Sequence, residues 1–237
     1  MSINFHDISS GLPVKIEHSL PSDLRLAVLQ AIPRKTGVYR HILKRALDVT
    51  AVLVSAPVVV PLIGVLALRI RRDGGKAFYT QPRVGMGGRK FRMWKLRSMV
   101  TDADARLDAH LAENPAARSE WDRTQKLKDD PRITGFGRFL RRSSLDELPQ
   151  LWNVLTGDMS LVGPRPMMVS QTALYPGMAY YTLRPGITGH WQTAGRNSTT
   201  FEARAGYDAV YEEDLSLAND LRILVRTVGV VVKATGY

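Results

Sequence analysis

Residues 49–68 read VTAVLVSAPVVVPLIGVLAL, twenty positions without a charge. As a straight helix they would extend about 30 Å, the thickness of a bilayer's hydrocarbon core. A single spanning anchor and a buried core helix are the plain readings. Pro57 and Pro61 lie mid-run, where each removes a backbone hydrogen bond and crowds the preceding turn, although spanning helices also tolerate proline. Both flanks are basic: Arg34, Lys35, Arg40, Lys44 and Arg45 precede the run, and Arg69, Arg71, Arg72 and Lys76 follow it. A spanning helix is expected to carry its positive charge on one side. A helix-break-helix over about 44–72, dipping into one leaflet and returning, would set both flanks on the same anionic cytoplasmic surface. On the residues alone, the re-entrant and spanning arrangements stand level.

Outward from this run, the 237 residues suffice for one sizeable core. Residues 1–36 read as a loosely held leader with one short helix over Asp23–Ile32, and 37–237 as a single domain. The N-terminus lacks the basic-then-apolar pattern of a signal peptide. AFYTQ and FRMWKL, within 77–96, predict a β-hairpin turned by Gly85, Gly87 and Gly88. Residues 102–127 predict polar helices broken at Asn114-Pro115. The patchy apolar stretch 215–235 suits a core helix or an amphipathic helix lying along the membrane interface. The fold class is therefore α+β, mainly helical.

Thirty-three Lys and Arg against 22 Asp and Glu give a net charge of +11. Such a chain seeks anions: nucleic acid, a membrane face or a nucleotide. The absence of cysteine excludes disulfides and thiol chemistry. His6, His18, His41, His110 and His190 have no metal-ligand spacing.

The stretch Ser143-Ser144-Leu145-Asp146-Glu147-Leu148-Pro149-Gln150 carries the sharpest chemistry. Ser144 and Glu147 have capping-box spacing, so an ordinary helix start is the plain reading. Asp146 and Glu147 would then lie in the positive field of a helix N-terminus, which favours the anionic form, with Arg141 and Arg142 just upstream. An ionised carboxylate can attack phosphorus, and a neighbouring one can hold Mg²⁺. Chemistry alone does not decide which of the two is the nucleophile.

Three arginines stand beside prolines, in Asp130-Pro131-Arg132, Gly163-Pro164-Arg165-Pro166 and Arg184-Pro185-Gly186. Each is a stiff surface turn or a pre-aimed guanidinium for a phosphate or a base. Lys95 and Arg97 would share one strand face, either solvated or beside a phosphate site. Asp102-Ala103-Asp104 matches the metal-binding Asp-x-Asp of many glycosyltransferases, but it opens a polar helix where acids are expected anyway. No dinucleotide fingerprint or P-loop is present.

Together these residues resemble the monotopic, small phosphoglycosyl transferases, or bacterial sugar transferases. The motifs are Lys44-Arg45-x-x-Asp48, the apolar run with Pro61, Tyr79-Thr-Gln81-x-Arg83-Val-Gly85 and Lys95-Leu-Arg97-Ser-Met99. They continue with Asp130-Pro-Arg132-Ile-Thr134, Ser144-Leu-Asp146-Glu147-Leu-Pro-Gln150, Asn153 through Pro166, and Arg184-Pro-Gly-Ile-Thr-Gly189. The variant is most similar to the short exopolysaccharide-initiating members. Val60 stands where members often carry a serine before the breaking proline.

The resemblance implies a re-entrant helix broken near Pro61, interfacial helices and an active site on the cytoplasmic face of the bacterial inner membrane. It implies that Asp146 is the nucleophile, that Glu147 holds Mg²⁺, and that Arg141, Lys95, Arg165 and Arg184 contact phosphate or nucleotide. The expected reaction moves a sugar 1-phosphate from a UDP-sugar, galactose or glucose being favoured, to undecaprenyl phosphate, releasing UMP. A homodimer stays open. The rivals are an ordinary glycosyltransferase using Asp102 and Asp104, and a membrane-tethered or nucleic-acid-binding module. No nucleic-acid partner is expected, because no helix-turn-helix, zinc finger or interleaved aromatic stripe is present.

Overall fold

The computed structural model describes residues 37–124, 127–194 and 201–232. The leader 1–36, with its expected helix, lies outside the described residues. The apolar run forms helix α1, Lys44–Arg71, entered through a π-helical turn at Tyr39–Leu43. Its 28 residues correspond to about 42 Å of straight helix. Pro57 and Pro61 sit inside an unbroken helical stretch, so the expected interruption of secondary structure does not occur there. The middle of α1 is exposed, with Val54, Val58, Val60 and Val65 open on its surface.

Both ends of α1 are tied to the same globular body. At the first end, buried Asp48 accepts from Ser160 Oγ (2.7 Å) and from the Leu161 amide (3.1 Å). Arg45 donates to the Val154 and Leu155 carbonyls, and Val52 packs with Met93, Val154 and Met159. At the other end, Leu66, Ala67 and Ile70 pack with Ala77, Leu96 and Leu140. There Arg97 donates to the Ile70 carbonyl (3.2 Å) and binds Asp73.

Strands β1, Phe78–Val84, and β2, Lys90–Leu96, pair antiparallel as the hairpin expected over 77–96. Tyr79 lies opposite Lys95, Gln81 opposite Met93 and Arg83 opposite Phe91, so these six share one face. Phe78, Trp94 and Leu96 occupy the other, where Phe78 and Trp94 line a hollow beneath α1 and Leu96 packs against its C-terminal end. Helices α2, Ala103–Glu113, and α3, Pro115–Thr124, divide at Asn114 as their sequence predicts.

The remaining elements build the floor of the site. Helix α4 spans Gly135–Arg142 and α5 spans Gln150–Thr156, with a 3₁₀ turn at Leu145–Glu147 between them. Strand β3, Ser160–Val162, pairs in parallel with β4, Gly186–Thr188. Gly163 and Gly186 are needed at this crossing, because a Cβ on Gly186 would lie 2.1 Å from the Gly163 nitrogen. Short helices α6, Ala179–Thr182, and α7, His190–Ala194, flank β4. Helices α8, Arg204–Glu213, and α9, Leu217–Val232, complete the described chain. Ile223 of α9 is fully buried, whereas Leu217, Leu221, Val225 and Val228 leave an apolar stripe exposed at helical spacing.

Candidate active site

Asp146 and Glu147 sit in the 3₁₀ turn between α4 and α5. The capping box suggested by Ser144 and Glu147 does not form. Ser144 has φ 57° and makes no side-chain cap, so the turn is entered through a left-handed residue. It is the one non-glycine residue at positive φ among the described residues. Left-handed backbone is costly for serine and persists where surrounding structure enforces it. Here α4 packs its Phe136 and Leu140 with Leu145 and Leu148, holding the chain on both sides of the dyad.

Lys95 reaches the dyad from β2. Its ammonium lies 2.7 Å from Glu147 Oε1 and 3.5 Å from Asp146 Oδ2. Asp146 is buried, which pushes its carboxyl pKa upward; Lys95 and Arg141 oppose that rise, while Glu147 adds to it. This corrects the expectation that the field of a helix N-terminus favours its anionic form. Burial disfavours the Lys95 ammonium too, but Glu147 and Asp146 outweigh it and the net pKa is raised. Lys95 thus favours the charged form of Asp146 in a partly dry pocket, while the neighbouring Glu147 opposes it.

Arg165 joins Lys95, Arg83, Gln150 and Glu147 around a small polar cavity. A bridge between Val84 and Met167 places the Gly163–Pro166 loop beside the end of β1, which brings Arg165 close to Arg83. A dyad of carboxylates faced by cations, over a proline-stiffened arginine, suits a polyanionic substrate and a carboxylate nucleophile.

The sequence profile of the bacterial sugar transferase family matches residues 39–234. The chain belongs to this family. It is 46% identical over 196 residues to the UDP-galactose-lipid carrier transferase of Erwinia amylovora, covering 82% of this chain and 41% of that one. It is 45% identical over 196 residues to the undecaprenyl-phosphate galactose phosphotransferase of Salmonella typhimurium, with 82% and 41% covered. It is also 41% identical over 211 residues to the exopolysaccharide production protein ExoY of Sinorhizobium fredii, with 86% and 93% covered. The chain therefore spans less than half the length of the first two relatives and nearly all of the third.

Not every arginine expected at the site of this bacterial sugar transferase is brought there. Arg141 donates from Nε to Ser98 Oγ (2.8 Å) and its charge is felt at Asp146. Arg97 lies just beyond β2 and saturates the C-terminal end of α1 and Asp73, rather than joining Lys95. Arg132 folds back on Asp130 through two bonds of 2.7 and 2.8 Å and stacks over Trp121. Arg184 donates to the Gly157 carbonyl (3.1 Å) and lines a different cavity with Arg40 and Lys44. Asp102 pairs with Arg106 on the exposed surface of α2, which leaves the Asp102-x-Asp104 pattern as a helix start.

Two residues of the site, Arg83 and Gln192, are not among the phosphate-binding residues the sequence suggests, although Arg83 stands in the family motif at residues 79–85. Arg83 faces the dyad because it shares strand parity with Lys95 across the hairpin. Gln192 is buried with both amide atoms unpartnered and lines a cavity of about 280 Å³ with Ser144, Glu147, Arg165 and Thr193. Parity with Lys95 could have found the first; nothing local marks the second.

Proposed function

We propose that this bacterial sugar transferase moves a sugar 1-phosphate from a UDP-sugar to undecaprenyl phosphate at the cytoplasmic face of the inner membrane, releasing UMP. The observation that carries the reading is buried Asp146 beside Glu147 and Lys95, at a cavity shared with Arg165. Relatives named for UDP-galactose-lipid carrier and undecaprenyl-phosphate galactose transfer support the same reaction class.

In the first step an Asp146 carboxylate oxygen attacks the β-phosphorus. The bond from that phosphorus to the bridging oxygen breaks, and UMP leaves with the electron pair. In the second step an oxygen of the lipid phosphate attacks the same phosphorus, breaking the Asp146–phosphorus bond and forming the diphosphate lipid. A covalent intermediate lets a water-soluble and a lipid substrate use one site in turn. Lys95 balances the dyad's charge before substrate arrives, and Arg165 is free to meet the diphosphate.

Mg²⁺ fits as a partner of the substrate rather than of a protein cage. Among the described residues no three His, Cys, Asp or Glu side chains converge. Glu147 would hold the ion, with phosphate oxygens and water completing its shell, as is usual for this hard cation. When bound, it offsets diphosphate charge and polarises the phosphoryl group.

Helix α1 supports the re-entrant reading of the membrane arrangement. Its two ends are fixed to one body at Asp48–Ser160 and Ile70–Arg97, and its apolar middle is uncovered. A re-entrant path meets those constraints, because a spanning one would carry the two ends to opposite faces about 30 Å apart. The apolar stripe of α9 suits the interface. An apolar hollow of about 400 Å³, lined by Val52, Val60, Trp94, Leu148 and Trp152, opens one residue beyond Glu147 and suits the isoprenoid chain. The cavity that Gln192 lines is of a size for the sugar, and the Gln192 amide carries an unpartnered donor and acceptor.

The test is a panel of UDP-sugars assayed for nucleotide release in detergent with undecaprenyl phosphate. UMP from one sugar supports the proposal. UDP as the product would make this an ordinary glycosyltransferase.

A further inference from the structure

Among the described residues, the partly or fully buried arginines leave no buried nitrogen without a partner, with one exception. Arg45 serves two helix-end carbonyls, Arg97 the end of α1 and Asp73, and Arg132 both oxygens of Asp130. Arg204 donates to the Arg165 carbonyl (2.9 Å) and stacks on Trp191 and Phe201. Arg83 differs. Its Nη2 donates to Gln81 Oε1 (2.7 Å), but Nε and Nη1 are buried and have no hydrogen-bond partner. Among the described residues no other arginine carries buried unpartnered nitrogens.

The cavity that Arg83 lines has an excess of positive charge. Lys95 is shared by Asp146 and Glu147, whereas neither Arg83 nor Arg165 has a carboxylate partner among the described residues. Burial and the nearby charge of Arg165 both push the Arg83 pKa down. A guanidinium stripped of water, set next to another cation and left with two free donors is costly unless an anion arrives. The two donors lie on different edges of the planar guanidinium, on either side of the Nη2 held by Gln81, so each can reach a separate phosphoryl oxygen.

We propose that Arg83 is a substrate-binding residue that holds the nucleotide diphosphate through its unpartnered Nε and Nη1 donors, each on a separate oxygen, with Arg165 on the same anion. The identity of the ligand rests on the transfer reaction proposed above. The demand for a phosphate-type anion rests on the unpartnered guanidinium alone. Gln81 acts as the positioning residue, because it holds Nη2 and so fixes the plane of the fork.

The experiment compares the purified full chain with Arg83→Met and Arg83→Lys in detergent. UDP, uridine and inorganic pyrophosphate are the probes, and Tm is measured alongside. Arg83→Met is expected to weaken UDP and pyrophosphate binding at least about tenfold, the loss of one charge-assisted contact, while leaving uridine binding and Tm unchanged or Tm raised. Arg83→Lys, keeping the charge without the fork, is expected to fall between. Unchanged UDP affinity in Arg83→Met overturns the assignment. So does a marked fall in Tm or a failure to fold, since either makes Arg83 part of the scaffold. If the wild type binds UDP and pyrophosphate through Arg83 but turns over no UDP-sugar, the transfer reaction fails and Arg83 stands. If turnover is normal and the variant binds UDP as tightly as wild type, Arg83 fails and the reaction stands.

Discussion

The Lys95 ammonium lies 2.7 Å from Oε1 of Glu147, the carboxylate assigned to the metal. On the proposed role of Glu147, cation and metal would compete for one residue, and Lys95 would act as a placeholder charge until Mg²⁺ and diphosphate arrive together. Lys95→Met is expected to lower turnover about 100-fold or more, the scale of losing one preorganised electrostatic group. It should also destabilise the fold by about 3 kcal/mol, because buried carboxylates lose their counter-charge. Mg²⁺ alone should raise the Tm of Lys95→Met more than that of the wild type. An equal shift in both proteins would separate Lys95 from the metal site.

Asp146 is expected to carry the sugar phosphate. With the correct UDP-sugar and no lipid, the wild type should release about one equivalent of UMP per active enzyme, as a covalent half-reaction requires. Intact mass should then show a sugar-phosphate adduct that fragmentation places on Asp146. Asp146→Asn should lose the adduct and keep nucleotide-sugar binding. An adduct on Glu147 would exchange the two roles, and UMP release only in the presence of polyprenyl phosphate would favour direct displacement.

Both ends of α1 are expected on the cytoplasmic side. Because the chain has no cysteine, single cysteines at Gly37 and Lys76 can be labelled without background. Equal reactivity from the cytoplasmic face is the expected result; opposite sidedness would mean a spanning helix. Replacing Pro57 and Pro61 with alanine together should stiffen α1 and shift it towards spanning.

Asp208 should give the fold a pH dependence of its own. It is buried, and burial raises its pKa from 3.8 to about 6 despite the Tyr175 hydroxyl at 2.8 Å and the charge of Arg204. The folded state then binds the proton more tightly than the unfolded chain. Stability from this group is greatest below pH 4 and is lost as pH rises through about 6. The difference is about 3 kcal/mol for a shift of this size. Asp208→Asn should remove that slope between pH 4 and 7 in urea titrations. A wild-type curve parallel to that of the variant would refute it.

The sequence by itself determined the elements whose cause is local. An uncharged run of twenty residues had to become a long apolar helix, and period-two alternation around Gly85–Gly88 had to become a hairpin. Asn114-Pro115 had to divide two polar helices. Asp146, Glu147 and Lys95 were legible because adjacent acids and a strand-face lysine are chemically conspicuous wherever they fall.

Tertiary structure alone decided which of the conspicuous residues meet. Three arginines shared the same proline-stiffened sequence setting, yet only Arg165 reaches the dyad cavity; Arg132 is claimed by Asp130, two positions away, and Arg184 by the Gly157 carbonyl. The Lys44-Arg45-x-x-Asp48 motif looked equally functional, and each of its charged members proves to clamp α1 to the body, through Asp220, Val154 and Ser160 respectively. Ser144 had capping-box spacing, but packing of α4 across the turn forces it into left-handed backbone. Arg83 stood in a family motif without a role until the hairpin register set it on the face of Lys95 and the Val84–Met167 bridge brought Arg165 beside it. A charged side chain is defined by its partner, and in this protein most partners lie tens to more than a hundred residues away, beyond the reach of any local pattern.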